Sequence, residues 1–348
     1  MSKRFPLRII DGFFIVVIAC IIYMIYPRNY DGVGRYEPLE NTAYWDFPNE
    51  SNIGYQFIPA SKQNNKTPII YLHGGPGGAI SNEIVESLQP FAEEGHPVYA
   101  YDQIGSGSSD RLSRIESYTV ARHVDDLKWV TDEIGVEKVI LLGQSWGSIL
   151  ATFFTLDYPE KVEKIIMTGP GPIFPLDSKL ADFLPPDSLD IKEPAFSNKD
   201  GIREVYTLRE KIVRWFANVH GKKIISDRKA DQFFTHLNNA LNRSTVYDQS
   251  KVTKSKPGGG YFVHLRTMKD LYHIKDRRVE MSKLSTPIFI LKGQYDNQKW
   301  GYTQEYLQLF PNAKMEIVPK AGHFIQVEQP DIYYSSIKKF LSEQSTVE

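Results

Sequence analysis

Two hydrophobic rhythms alternate along most of the chain. Short, nearly uninterrupted apolar runs occur at residues 69–72 (IIYL), 98–101 (VYAY), 138–142 (KVILL), 164–168 (KIIMT), 287–291 (PIFIL) and 314–318 (KMEIV). Runs of this length predict strands buried on both faces. Between them lie longer stretches with helical spacing. In residues 118–134, Val120, Val124, Leu127, Val130 and Ile134 fall three or four apart and form one apolar face. Residues 146–157, stopped before Pro159, and residues 330–342 read as further helices. Such alternation with short loops predicts an α/β domain, a parallel sheet covered by helices on both faces. The rhythm breaks between about 172 and 284. That stretch has no convincing buried strand, helical spacing near 201–218 and 227–242, and a run expected to be flexible, Pro257-Gly258-Gly259-Gly260. An insertion of about 110 residues in one α/β domain accounts for the pattern. The chain shows no internal repeat and no low-complexity tract.

The N-terminus departs from both rhythms. Residues 13–26 (FFIVVIACIIYMIY) are all apolar or aromatic, with no polar face. Fourteen helical residues span about 21 Å, short of the roughly 30 Å hydrocarbon core. Counting from Leu7 gives 20 residues, enough to cross, with Arg8 and Asp11 near the interface. Lys3, Arg4 and Arg8 precede the run, a flank that tends to stay in the cytoplasm. The leading expectation is one uncleaved transmembrane helix, with the remainder extracytoplasmic at the cell membrane. Two alternatives stay open. One is a cleaved secretory signal, although no small-x-small site closes the run. The other is a lipid anchor at Cys20, within Val17-Ile18-Ala19-Cys20. The expected division is an anchor or signal segment (1–28), a first part of the core (29–171), a helical cap (172–284) and a second part of the core (285–348).

Composition changes this picture little. Charged residues make up 24% and hydrophobic ones 41% of 348, as in folded proteins generally. This excludes a disordered chain and a multi-span membrane protein. The formal net charge of −1 argues against a nucleic-acid binder. Without its first 28 residues the chain has 37 basic against 41 acidic residues, a charge of −4. The basic leader thus offsets a mildly acidic body. A single cysteine, Cys20, leaves the globular part no disulfide, no cysteine-ligated zinc and no thiol nucleophile.

Chemistry concentrates at the strand ends. Gly143-Gln144-Ser145-Trp146-Gly147 has the form G-x-S-x-G between a predicted strand and a predicted helix, the setting of a nucleophile elbow. Glycine at 143 and 147 relieves crowding around the sharp turn, which would hold Ser145 at the edge of the sheet. A serine needs a base to take its proton, and the base needs an orienting acid. In this architecture the order along the chain is serine, acid, histidine. Asp296 follows the strand at 287–291 and His323 follows the strand at 314–318. His73-Gly74-Gly75-Pro76-Gly77-Gly78 follows the strand at 69–72 and lacks the phosphate-loop pattern. It suits an oxyanion hole, with backbone N–H donors from Gly75 and from Trp146, the residue after the nucleophile. His73 reads as a structural tie within that loop.

Together His73-Gly74-Gly75-Pro76-Gly77-Gly78, Asp102-Gln103-Ile104-Gly105-Ser106-Gly107-Ser108-Ser109 and Gly143-Gln144-Ser145-Trp146-Gly147-Ser148 resemble the proline iminopeptidase (prolyl aminopeptidase) family of α/β-hydrolases. The family pattern D-Q-R-G-x-G-x-S carries Ile104 here in place of its arginine. The resemblance covers roughly residues 50–170 and 285–345. It implies an eight-stranded α/β-hydrolase core with a helical cap after strand six, and no metal or organic cofactor. It also implies Ser145, Asp296 and His323 as nucleophile, acid and base. The implied activity is removal of an N-terminal residue, often proline, from short peptides. Family members hold the substrate ammonium with glutamates, some from the cap. The cap here offers Glu193, Glu204, Glu210, Asp227 and Asp231, none in a matching motif. An esterase or lactonase with the same triad is the alternative, and a non-enzymatic anchored binding protein a more distant one. The sequence leaves the oligomeric state open.

Overall fold

In a computed structural model, residues 5–26, 30, 33–47, 51–61 and 66–343 are described. Lys3, Arg4 and Arg28 of the basic leader lie outside them. The expected strands form as β3 (Ile69–Leu72), β4 (Val98–Tyr101), β5 (Val139–Gln144), β6 (Val162–Thr168), β7 (Ile288–Gly293) and β8 (Ala313–Val318). Two more, β1 (Ala43–Asp46) and β2 (Asn52–Ile58), pair antiparallel with each other, and β2 runs antiparallel to β4. The eight strands lie in the order β1-β2-β4-β3-β5-β6-β7-β8, and all pairs from β4 to β8 are parallel. The two added strands escape the periodicity argument because neither is a continuous apolar run: β1 has Tyr44 and Asp46 exposed, and β2 carries Gly54 and Gln56.

Alternate residues of the central strands feed two cores. Ile70, Leu72, Leu141 and Ile165 join α3 (Val120–Ile134) and α4 (Trp146–Asp157) on one face. Ile69, Tyr71, Ile140 and Leu142 join α2 (Asn82–Glu93) and α12 (Pro330–Ser342) on the other. This two-sided burial explains why the strands read as continuous apolar runs. Helix α3 starts at Thr119, whose hydroxyl accepts the Arg122 N–H, and ends at Gly135 with φ of +74°.

Between β6 and β7 the insert folds as α5 (Asn198–Val205), α6 (Leu208–His220), α7 (Asp227–Leu241), α8 (Tyr261–Leu271) and the short α9 (Arg278–Met281). The single helix expected near 201–218 is two, because the chain turns extended at Tyr206 and Thr207, and Thr207 precedes α6 as its N-cap residue. The core resumes with α10 (Trp300–Leu309), and the short α11 (Ile325–Glu328) leads into α12.

Two expectations need correction. The Pro257–Gly260 run is not a loose linker. Gly258, Gly259 and Gly260 are buried, and a Cβ at Gly260 would lie 1.8 Å from the Gly105 carbonyl oxygen. Its glycines serve close backbone approach rather than mobility. The N-terminal helix forms as α1 (Phe5–Ile25), but among the described residues no helix is long and apolar enough to cross a membrane.

Candidate active site

The parallel strands all end at one edge of the sheet, and their following loops carry the chemistry. The order reverses around β3 and β5, which opens a crevice at their carboxyl ends. Ser145 lies between β5 and α4 at φ +53°, ψ −114°, a sparsely populated backbone state for a residue with a side chain. Its hydroxyl caps no N–H of α4. The flanking glycines are required sterically. A Cβ at Gly143 would come within 2.5 Å of the Gly147 backbone, and one at Gly147 within 2.0 Å of the Leu72 carbonyl oxygen on β3.

His323 Nδ1 and Asp296 Oδ1 are 2.9 Å apart, both residues buried. This pair and the serine turn meet across the loop after β6. The Ser145 N–H donates to the Thr168 carbonyl (2.9 Å). At the next residue, Gly169 (φ +51°), a Cβ would sit 2.6 Å from His323 Nδ1 and 3.1 Å from Asp296 Oδ2. Gly169 is thus a site residue that the motifs did not reveal. The strained Ser145 turn and the carboxylate-held imidazole thus border the same loop, and a hydroxyl, an imidazole and a carboxylate are the groups that nucleophilic acyl transfer uses.

Asp296 has a second partner that the sequence reading missed. Lys292 on β7 is fully buried. Its Nζ lies 3.4 Å from Asp296 Oδ2 and donates to the Gln298 carbonyl at 2.8 Å. Burial alone would raise the Asp296 pKa. The Lys292 charge, joined by His323 and by the Gln298 N–H on Oδ1, outweighs it and holds the carboxyl well below the usual carboxylate range. The available signal was a lysine inside the apolar run at 287–293, a cost tolerated only with a partner.

The loop after β3 is braced by the loop after β4. The Gln103 N–H donates to His73 Nε2 (3.0 Å), which leaves the imidazole proton on Nδ1, 2.9 Å from the Gly74 carbonyl. Burial pushes the His73 pKa down and keeps it neutral for this role. The Gln103 amide also donates to the His73 carbonyl (3.1 Å) and accepts from the Trp146 indole (2.7 Å). Gln103 therefore ties the His73 loop to the serine turn. Asp102 accepts from the N–H groups of Ile80 (2.7 Å) and Ser108 (2.8 Å). A Cβ at Gly107 would lie 1.9 Å from its carboxyl carbon. Ile104 is fully buried in the core. Gly75 sits at φ +128°, and a Cβ at Gly74 would be 3.2 Å from Ser145 Cβ, so this loop lies against the Ser145 turn.

The insert holds both loops from outside. Gly260 N–H donates to the Gly77 carbonyl (2.8 Å), and Gly107 N–H donates to Gly258 (2.7 Å). His264 of α8 lies 3.0 Å from the Pro76 carbonyl, and its burial lowers its pKa to about 4. On the other side, the Thr245 carbonyl accepts from the N–H groups of His323 (2.7 Å) and Phe324 (3.2 Å). Buried Glu328 accepts from Gly322 (2.6 Å), Tyr247 (2.9 Å) and Asp248 (2.8 Å). Neither motif reading nor spacing marked Glu328, six residues beyond Gly322.

Every cap carboxylate singled out from sequence faces a cation of the chain itself. Glu193 pairs with Lys299, Glu204 with Arg243, Glu210 with Arg209, Asp227 with Lys223 and Asp231 with Arg111. Glu210 also accepts from Tyr30 (2.8 Å), and Asp231 from the Tyr261 N–H (2.9 Å). Burial raises Asp231 to about 6 despite Arg111. Among the described residues no cluster of three or more His, Cys, Asp or Glu side chains is placed to hold a metal ion.

A family model described as the alpha/beta hydrolase fold matches residues 67–330. Distant relatives are mostly named proline iminopeptidase. That of Heyndrickxia coagulans is 26% identical over 79% of this chain and 91% of its own. Among solved structures, the proline iminopeptidase of Mycobacterium smegmatis is similar with a TM-score of 0.58 and 18% identity, over 86% of this chain and 97% of its own. An esterase from Exiguobacterium antarcticum is similar with the same TM-score and identity, over 86% and 99%. At such identity the structural likeness speaks for the fold.

Proposed function

The chain belongs to the α/β-hydrolase fold family, and on that premise we propose that it is a serine hydrolase working through an acyl-enzyme, with Ser145 as nucleophile. The observation that carries this reading is the buried His323–Asp296 pair set against Gly169, one residue beyond the carbonyl that receives the Ser145 N–H. His323 takes the Ser145 proton during attack on the scissile carbonyl and returns it to the leaving group. Asp296 holds the imidazole tautomer and stabilises the imidazolium. The N–H groups of Gly75 and Trp146 receive the oxyanion, a contribution of about 3–4 kcal/mol per donor. Water then releases the acyl group, with His323 again as base.

The substrate we favour is a short peptide with a free N-terminus, which loses a proline-type residue. The motifs around His73, Asp102 and Ser145 and the names of the distant relatives support it. A second reading, hydrolysis of small esters, rests on a specific observation: the five cap carboxylates are neutralised by lysines and arginines of the chain. A buried ammonium needs a carboxylate free to pair with it. An aminoacyl-arylamide panel against N-acylated and ester analogues separates the two. Cleavage of free-amine substrates supports the peptidase, and cleavage of the others alone supports the esterase. A fluorophosphonate probe should label the protein and fail on Ser145→Ala. Labelling that survives the substitution removes the mechanism.

The partner of α1, in this reading, is a lipid bilayer. Phe13, Ile15, Val16 and Ile18 are each more than half exposed, and Tyr23 and Tyr26 stand at its C-terminal end. A helix with this surface partitions into a membrane by its apolar area, whatever its depth.

A further inference from the structure

Helix α6 of the insert presents two unlike faces. Inward it buries Arg209, Glu210, Val213 and Ala217. Outward, Leu208, Trp215 and Val219 are 66%, 55% and 58% exposed, with Ile212 half-buried on the same stripe. The spacing of four, three and four residues aligns them along about 16 Å of helix. An outward helix face in water is normally polar. The exposed residues that flank this stripe are cationic, Lys211 and Arg214. The single acid of the helix, Glu210, is buried and paired with Arg209.

The chain leaving α1 arrives at this same helix. The Tyr30 hydroxyl donates to Glu210 Oε1 at 2.8 Å, in the first turn of α6. Tyr26 stands four residues earlier, so the exposed end of α1 is tethered within about 14 Å of Tyr30. Tyr23 and Tyr26 are the residue type that settles at the membrane–water boundary, as is Trp215.

We propose that the outer face of α6, built on Leu208, Trp215 and Val219, rests on the surface of the lipid bilayer that α1 enters, with Lys211 and Arg214 toward anionic headgroups. The proposal rests on the membrane reading of α1. A bilayer is favoured over a protein partner by continuity with the apolar surface of α1 and by the cationic flank. A tryptophan beside two cations suits the interface of an anionic leaflet. The insert, rather than the core, then faces the membrane.

The test uses the full chain and vesicles of phosphatidylcholine and phosphatidylglycerol with brominated acyl chains, which quench nearby indoles. No tryptophan lies in α1, so quenching reports the body of the protein. Wild-type emission should be quenched, and Trp215→Phe should lose that quenching while still sedimenting with vesicles and hydrolysing a soluble substrate. Lys211→Glu with Arg214→Glu should weaken binding to anionic vesicles by roughly fivefold per residue and leave neutral vesicles unaffected. If the wild type sediments but Trp215→Phe is quenched equally, the α6 proposal falls and the α1 reading stands. If the wild type does not sediment at all, both fall. Self-association that Trp215→Phe abolishes, without lipid quenching, assigns the face to a second copy and overturns the proposal.

Discussion

Two sets of carboxylates, one buried around the site in the core and one near the surface of the insert, are held in opposite ways. Asp102 and Glu328 are buried and accept backbone N–H groups from loops that surround the site. Asp296 is buried between His323, the Gln298 N–H and Lys292. In the insert, Glu193, Glu204 and Asp227 face the ends of long Lys or Arg side chains near solvent. A backbone donor fixes where a loop runs. A mobile ammonium or guanidinium fixes little, and surface pairs contribute about 0–1 kcal/mol. The buried carboxylates around the site therefore fix geometry, whereas Glu193, Glu204 and Asp227 mainly neutralise neighbouring cations. Half-buried Asp231 and buried Glu210 lie between these extremes, each paired with an arginine.

The largest effect should come from breaking the fully buried Lys292–Asp296 pair of the core. Lys292→Met leaves Asp296 without its cation. Removal of one partner from a buried pair costs about 3–5 kcal/mol. The pH dependence has a definite sign. The depressed Asp296 pKa contributes stability that is present above the unfolded value near 4 and is lost on acidification. Without Lys292 that contribution shrinks, so the variant should differ from wild type most at neutral pH and least in acid. Denaturation at several pH values reads the effect. A loss of stability equally large at neutral pH and in acid would reduce Lys292 to a packing role.

Much of the core side of this contrast was legible in the sequence, and little of the insert was. Strands buried on both faces write themselves as runs such as residues 69–72, and G-x-S-x-G carries its own steric reason in Gly143 and Gly147. Order along the chain and strand ends singled out Asp296 and His323, and the structure brings the two side chains together. Lys292, Gly169 and Glu328 were not singled out, because each acts through a contact that arises only in three dimensions. Gly169 is one glycine among many until His323 is seen against it. The insert hid more. Its Pro257–Gly260 run has the composition of a linker, yet it packs backbone to backbone on the loops after β3 and β4. Composition reports that glycines permit either outcome and does not choose between them.

Glu328 tests whether backbone-held carboxylates transmit order from the insert to the site. Its oxygens join Gly322, beside His323, to Tyr247 and Asp248 of the insert. Glu328→Gln turns an amide donor toward N–H groups that need acceptors, at a cost of about 1–3 kcal/mol. The expected signature is a lower melting temperature with kcat reduced more than KM is raised, since the His323 loop loses its fixed position. Loss of stability with unchanged kcat would confine Glu328 to the fold.

The smallest effect should follow from the exposed pairs of the insert. Glu193→Gln and Glu204→Gln each remove a partner of a solvated cation, Lys299 or Arg243. Each should change stability by less than about 1 kcal/mol. Neither should alter KM for a free-amine substrate, because a carboxylate already neutralised at the surface has no charge to spare for a substrate ammonium. A rise in KM confined to free-amine substrates in either variant would mean that the pair opens on binding. That carboxylate would then be the ammonium partner, and the contrast between a fixed core and a neutralised insert would fail at the point where the two readings of substrate divide.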